Sequence, residues 1–108
     1  MAYYMVQAAY TAEAVAAMVK KPEDRGEAIR PVVEKLGGKL VGIWFCFGEY
    51  DVVGISELPD NVSAAAFAFA VSQGGKVKTL KTTPLMTGKE AVQAMKKASG
   101  AGYRAPGA

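Results

Sequence analysis

The sequence predicts an α+β sandwich, a four-stranded antiparallel sheet with helices on one face, and three observations carry that prediction. Strand-like and helix-like runs alternate in the order strand, helix, strand, strand, helix, strand, and one more helix follows. The two middle strands flank Gly48-Glu49, a short hairpin signal. The first two strands are apolar on both of their alternating faces, so the sheet requires cover on each side.

Ala2 to Tyr10 is rich in aromatic and β-compatible residues and reads as the first strand. Thr11 closes it as a helix N-cap, with Glu13 in the first turn where the helix dipole favours an acid. Val15, Met18 and Val19 recur at helical spacing, Lys20-Lys21-Pro22 punctuates, and Ile29, Val32, Val33 and Leu36 resume the pattern. Pro31 is expected to kink or restart this helix, because it lacks an amide donor and crowds the carbonyl four residues back. Gly37-Gly38 caps its end. Lys39 to Phe47 and Tyr50 to Leu58 read as strands around a two-residue type II′ turn, in which Gly48 supplies the positive φ.

Pro59-Asp60-Asn61 stops the third strand and offers Asp60 as N-cap to a helix over 61–73, with Val62, Ala65, Ala66, Phe69 and Ala70 as its apolar face. Gly74-Gly75 closes that helix. Lys76 to Thr83 alternates basic or polar with apolar residues and suits an edge strand, stopped by Pro84; its lysines Lys76, Lys78 and Lys81 could hold an anionic ligand, though such alternation more often marks a solvated or protected edge. Thr87-Gly88-Lys89-Glu90 is a capping box that opens a final helix to about Ala98. Residues 1–98 form one domain, and the Gly- and Pro-rich tail 99–108 frays unless Tyr103 anchors it.

This order is the ferredoxin-like βαββαβ motif with the first and third strands central. In the first strand Tyr4, Val6, Ala8 and Tyr10 alternate with Tyr3, Met5 and Ala9, broken only by Gln7; in the second, Val41, Ile43, Phe45 and Phe47 alternate with Leu40, Trp44 and Cys46. Helices cover one face, and the other would leave a large apolar surface in water. A second copy packed sheet to sheet through a two-fold axis is the expected cover, giving a homodimer or higher homo-oligomer. The competing account folds the final helix back over that face within one chain.

Composition narrows the chemistry. With 108 residues, half of them apolar, the chain is one globular domain. Histidine is absent, which removes Ser-His and Cys-His catalysis, His-ligated haem and most zinc sites. The single Cys46 forms no intrachain disulfide and reads as a packed small side chain, in keeping with a reducing cytoplasm. The net charge of +3 is spread over scattered lysines and arginines rather than one basic face, and the third strand has no aromatic beyond Tyr50, so no nucleic-acid partner is expected. The apolar start carries no basic segment ahead of it and is interrupted by Gln7, Thr11 and Glu13, so neither an export signal nor a membrane span is expected.

Gly48, Tyr50 and Asp51, in their hairpin context, match the signature Gly-x-Tyr-Asp, and Leu58-Pro59-Asp60-Asn61 also fits; from Ala2 to about Ala98 the chain resembles the GYD family of small bacterial proteins. The resemblance implies a dimeric α/β barrel of ferredoxin-like subunits, alongside small cofactor-independent monooxygenases and related enzymes, and it implies no particular reaction.

Two candidate sites emerge from the residues. In Gly48-Glu49-Tyr50-Asp51 the structural reading has Gly48 turning the chain, Glu49 in solvent, Tyr50 packing across from Phe47 and Asp51 accepting hydrogen bonds. The functional reading makes Tyr50 a proton or hydrogen-bond donor and Asp51 a base or an anchor for a cation. Neighbours along a strand point to opposite faces, so the two have separate roles unless a bulge intervenes. The second candidate is a cavity between sheet and helices or at a subunit seam, lined by Tyr3, Tyr4, Gln7 and Trp44; the structural alternative makes the aromatics core and has Gln7 bond backbone. No metal is expected: Asp51 and Glu57 share a face but lie about 20 Å apart along a strand. Two functions stay open, a small-molecule enzyme without metal or other cofactor, and a non-catalytic ligand-binding or assembly module.

Overall fold

Each helix begins on a side chain that accepts a backbone amide, and these caps fix where the strands end. The computed structural model describes residues 1–107. Strand β1 (Ala2–Tyr10) leads into α1 (Ala12–Lys20), capped by the Thr11 hydroxyl, which accepts from the Ala14 amide at 3.1 Å. Next comes α2 (Arg25–Lys35), where Asp24 Oδ1 accepts from Gly26 N at 2.8 Å. Strands β2 (Lys39–Phe45) and β3 (Val52–Leu58) follow, then α3 (Asn61–Gln73), capped by Asp60 at 2.9 Å from Ser63 N. Strand β4 (Val77–Leu85) precedes α4 (Gly88–Ser99), whose Thr87–Glu90 capping box is formed in both directions. The strands make one antiparallel sheet in the order β2-β3-β1-β4, with β1 and β3 central as expected. This is the α+β ferredoxin-like fold.

Several boundaries differ from the sequence reading. The helical region breaks at Lys21–Asp24, where Pro22 disfavours a helical Lys21, and α2 runs on through Pro31. Proline removes only its own donor there, while fully buried Val33 and its neighbours Ile29, Val32 and Leu36 hold the helix on the sheet. The hairpin is wider than a two-residue turn: Cys46 N donates to Asp51 O at 2.8 Å, leaving Phe47 to Tyr50 as a four-residue loop. Gly48 does have a positive φ of 132°. Cys46 is exposed rather than packed, its thiol donating to the Tyr50 carbonyl at 3.3 Å.

A bulge at Val41 changes which residues of β2 share a face. Leu40 pairs with Ser56 and Gly42 with Ile55, so Val41 is the extra residue and Leu40 joins Ile43 and Phe45 on the helix side. In β4, Pro84 does not stop the strand but pairs with Tyr4; an edge strand tolerates the missing donor when it faces outward. Helix α3 buries Ala64 and Phe67, not the face through Val62 and Phe69, both of which are about three-quarters exposed or more (78% and 74%). This helix is apolar nearly all round, so spacing could not select its face. The Tyr4 hydroxyl, bonded to Asn61 Oδ1 at 2.7 Å, ties its first turn to the sheet.

The core is a cluster of Tyr4, Val33, Leu58, Ala64 and Phe67 between the even-numbered face of β1 and helices α2 and α3. The last helix, α4, buries no side chain and lies away from this core. The molecule accordingly has a radius of gyration of 17.5 Å, against about 13 Å for a compact domain of this length. Among the described residues no helix is long and apolar enough to cross a membrane.

Candidate functional site: a cavity between sheet and helices

The core does not fill the whole sandwich. Towards the Ala2 end of β1 it is closed by the buried cluster, but towards the Tyr10 end a cavity of about 330 Å³ opens between the sheet and helices α2 and α3. Small residues on the helix side of the central strands make it. In register, Gly54 lies between Val6 and Ile43, and Ala8 between Val52 and Leu80. A Cβ placed on Gly54 would meet nothing closer than Gly42 O at 3.7 Å, so its missing side chain leaves open space on the cavity floor. Ile29 and Val32 form one wall, Ala70 and Val71 the other. A volume and an apolar lining of this kind suit a small organic ligand.

The polar groups on the lining are few: Ser56, Tyr10, Arg25 and Lys76. Arg25 opens α2, whose first turn meets the sheet so closely that a Cβ on Gly26 would stand 2.8 Å from Ile43. Lys76 follows the α3 C-cap, and its carbonyl accepts from Thr11 N at 2.9 Å, beside the end of β1. Arg25 pairs with Glu23 at 2.5 Å and Lys76 with Glu13. The Lys76 hydrogen bond, and then its charge, hold the Glu13 carboxyl below its ordinary value. Asp60 is likewise lowered, by the Ser63 amide that it caps.

The residues singled out in the sequence are distributed over three places. Tyr4 belongs to the core beside α3, through its bond to Asn61. Tyr3, Gln7 and Trp44 lie on the opposite side of the sheet from the cavity: Gln7 and Trp44 both pair with Val53, and Tyr3 with Glu57. The Trp44 indole folds back along its strand over Gly42, where a Cβ would meet the ring at 2.6 Å. Gly48, Glu49 and Tyr50 stay in the hairpin loop. Asp51 donates its own amide to Ala8 O at 2.9 Å, while its Oδ2 accepts from Tyr10 N at 2.9 Å. It also borders a second, shallower concavity between α1 and the hairpin, beside stacked Tyr10 and Phe45 rings 6.3 Å apart.

Reading the sequence missed Gly54, Ser56, Arg25 and Lys76 as lining residues. The signal was present in part, since Gly54 and Ser56 are small residues on a face of β3 that is otherwise Val52 and Leu58. Lys76 is marked in the sequence only as one of three alternating lysines, with Lys78 and Lys81, and nothing local ties it to Arg25, 51 positions away. Among the described residues, no three His, Cys, Asp or Glu side chains converge as a metal site would require.

Three comparisons bear on this geometry. A crystal structure of FFRP-DM1 superposes with a TM-score of 0.51 at 13% identity, covering 80% of this chain and 100% of that one, a likeness of fold alone. No curated protein matches the sequence. The family model for the GYD domain matches residues 4–95, from the core tyrosine of β1 into α4, and the chain therefore belongs to the GYD domain family.

Proposed function

We propose that this GYD-domain protein binds a small organic molecule in the cavity between its sheet and helices. The cavity over Gly54 carries that reading, because a well-packed domain rarely leaves some 330 Å³ unfilled beneath two helices. Binding has more support than catalysis: among the described lining residues there is no carboxylate, thiol or imidazole, and Tyr10 and Lys76 are the only side chains there of a type that moves protons in catalysis. A thermal-shift screen of small aromatic and aliphatic metabolites tests the idea. At least one compound is expected to raise the Tm of the wild type and to leave Gly54→Leu unmoved, with circular dichroism verifying that the variant folds. A screen without stabilising compounds, or one in which the filled variant responds equally, sinks the reading.

The second part of the proposal is that the protein works as a homodimer paired through the other sheet face. Tyr3, Met5, Trp44, Val53, Ile55 and Leu85 share that face by register, and Trp44 stays 54% exposed. Helix α4 adds Val92 and Met95, 49% and 67% exposed. A symmetric partner would shield both kinds of apolar surface. Sedimentation should give a dimer at micromolar concentration and a monomer for Ile55→Lys; a monomeric wild type overturns this part. An exposed, unpaired Cys46 supports a reducing, cytoplasmic setting.

A further inference from the structure

We propose that the ligand of the cavity is an anion with an apolar body, its single acidic head held at the Tyr10 end by Arg25 and Lys76; this rests on the cavity being a binding site. The strand and helix directions bring these two cations together. Helix α2 ends beside Lys39, which pairs with Glu57 near the Ala2 end of β1, so its first residue, Arg25, lies at the Tyr10 end. Helix α3 starts at the Tyr4–Asn61 bond and runs the other way, so Lys76 after it also reaches the Tyr10 end, where Val77 pairs with Tyr10.

The cavity thus has chemically distinct ends. One is closed by the buried cluster around Phe67 and Leu58, while Arg25 and Lys76 contribute the only charges among the described lining residues. The neighbouring acids do not line it: Glu23 and Glu13 pair with the cations from outside, Asp24 caps α2, and Asp51 holds the Tyr10 amide. Glu13 and Glu23 have side chains 78% and 56% exposed, and exposed ion pairs are weak and easily exchanged. An entering carboxylate or phosphate head can therefore take over both cations, while the acids turn to solvent. An ammonium head would meet two like charges there.

A matched set of probes, octanoate, octanol and octylamine, tests this by calorimetry below their micelle concentrations. Octanoate should bind about tenfold tighter than octanol, the gain expected of one charged hydrogen bond, and octylamine weakest of the three. The preference should shrink towards one in Arg25→Gln/Lys76→Gln while octanol binding persists. Added salt should weaken octanoate and spare octanol in the wild type, a readout independent of how the variant folds. Equal binding of octanoate and octanol, or tightest binding of octylamine, overturns the anion inference and leaves the cavity reading standing. Binding of none of the three overturns both.

Discussion

The carboxylate of Asp51 accepts the Tyr10 amide at 2.9 Å where β1 loses its register with β4, between Ala9 and Tyr10. The amide faces β3, whose pairing with β1 ends at Ala8–Val52, so Tyr10 N lies beyond the last ladder partner and the hairpin side chain supplies one. Asp51→Ala should destabilise the fold by about 1.5–3 kcal/mol, as expected for losing a hydrogen bond to a charged group. Asp51→Asn, which keeps an oxygen acceptor, should recover part of this in urea unfolding. A neutral Asp51→Ala would deny the aspartate its structural role.

Gly42 and Trp44 form a second dependent pair. The indole occupies the space that a Cβ at position 42 would need, with Cη2 only 2.6 Å away. Gly42→Val should therefore expel the ring and cost about 1–3 kcal/mol. Trp44 is the sole tryptophan, so its emission spectrum reports the displacement directly. An unchanged spectrum would contradict the stacking of ring on glycine.

Acid should weaken the Asp60 cap and the Glu13–Lys76 ion pair in a defined way. Glu13 and Asp60 both have folded pKa values below their ordinary ones, so each contributes stability that is present above the unfolded pKa and lost as pH falls through the folded one. The loss begins near pH ~4, where free carboxylates titrate, and continues below it. Both side chains are exposed, so the effect is small. Asp60→Asn keeps the cap oxygen and should flatten part of the decline in Tm between neutral and acidic pH. An identical decline in the variant would exclude the cap as its source.

Thr82 offers a change in the opposite direction. Its hydroxyl is buried without a partner among the described residues, opposite Val6 on the helix side of the sheet. Thr82→Val preserves the shape and removes the unpaired group, and should stabilise by about 1 kcal/mol in denaturant unfolding. A loss of stability would reveal a bond made by that hydroxyl.

Much of this molecule follows from local chemistry. Thr11, Asp60 and the Thr87–Glu90 box act over one turn of chain, and each begins a helix where the sequence places it. The order of strands and helices, and with it the central place of β1 and β3, is legible from alternation and punctuation alone. Distant pairings decided the rest. The Val41 bulge regrouped the faces of β2, the Tyr4–Asn61 bond turned one side of a uniformly apolar α3 inward, and the two ties made by Asp51 widened the hairpin. The cavity belongs to this second kind of fact: Gly54, Ala8, Arg25 and Lys76 meet only because antiparallel strands and oppositely running helices bring four separate stretches of chain to one end of the sandwich. Spacing along a chain records which face a residue takes within its own element, whereas a binding site is a relation between elements, and packing alone sets it.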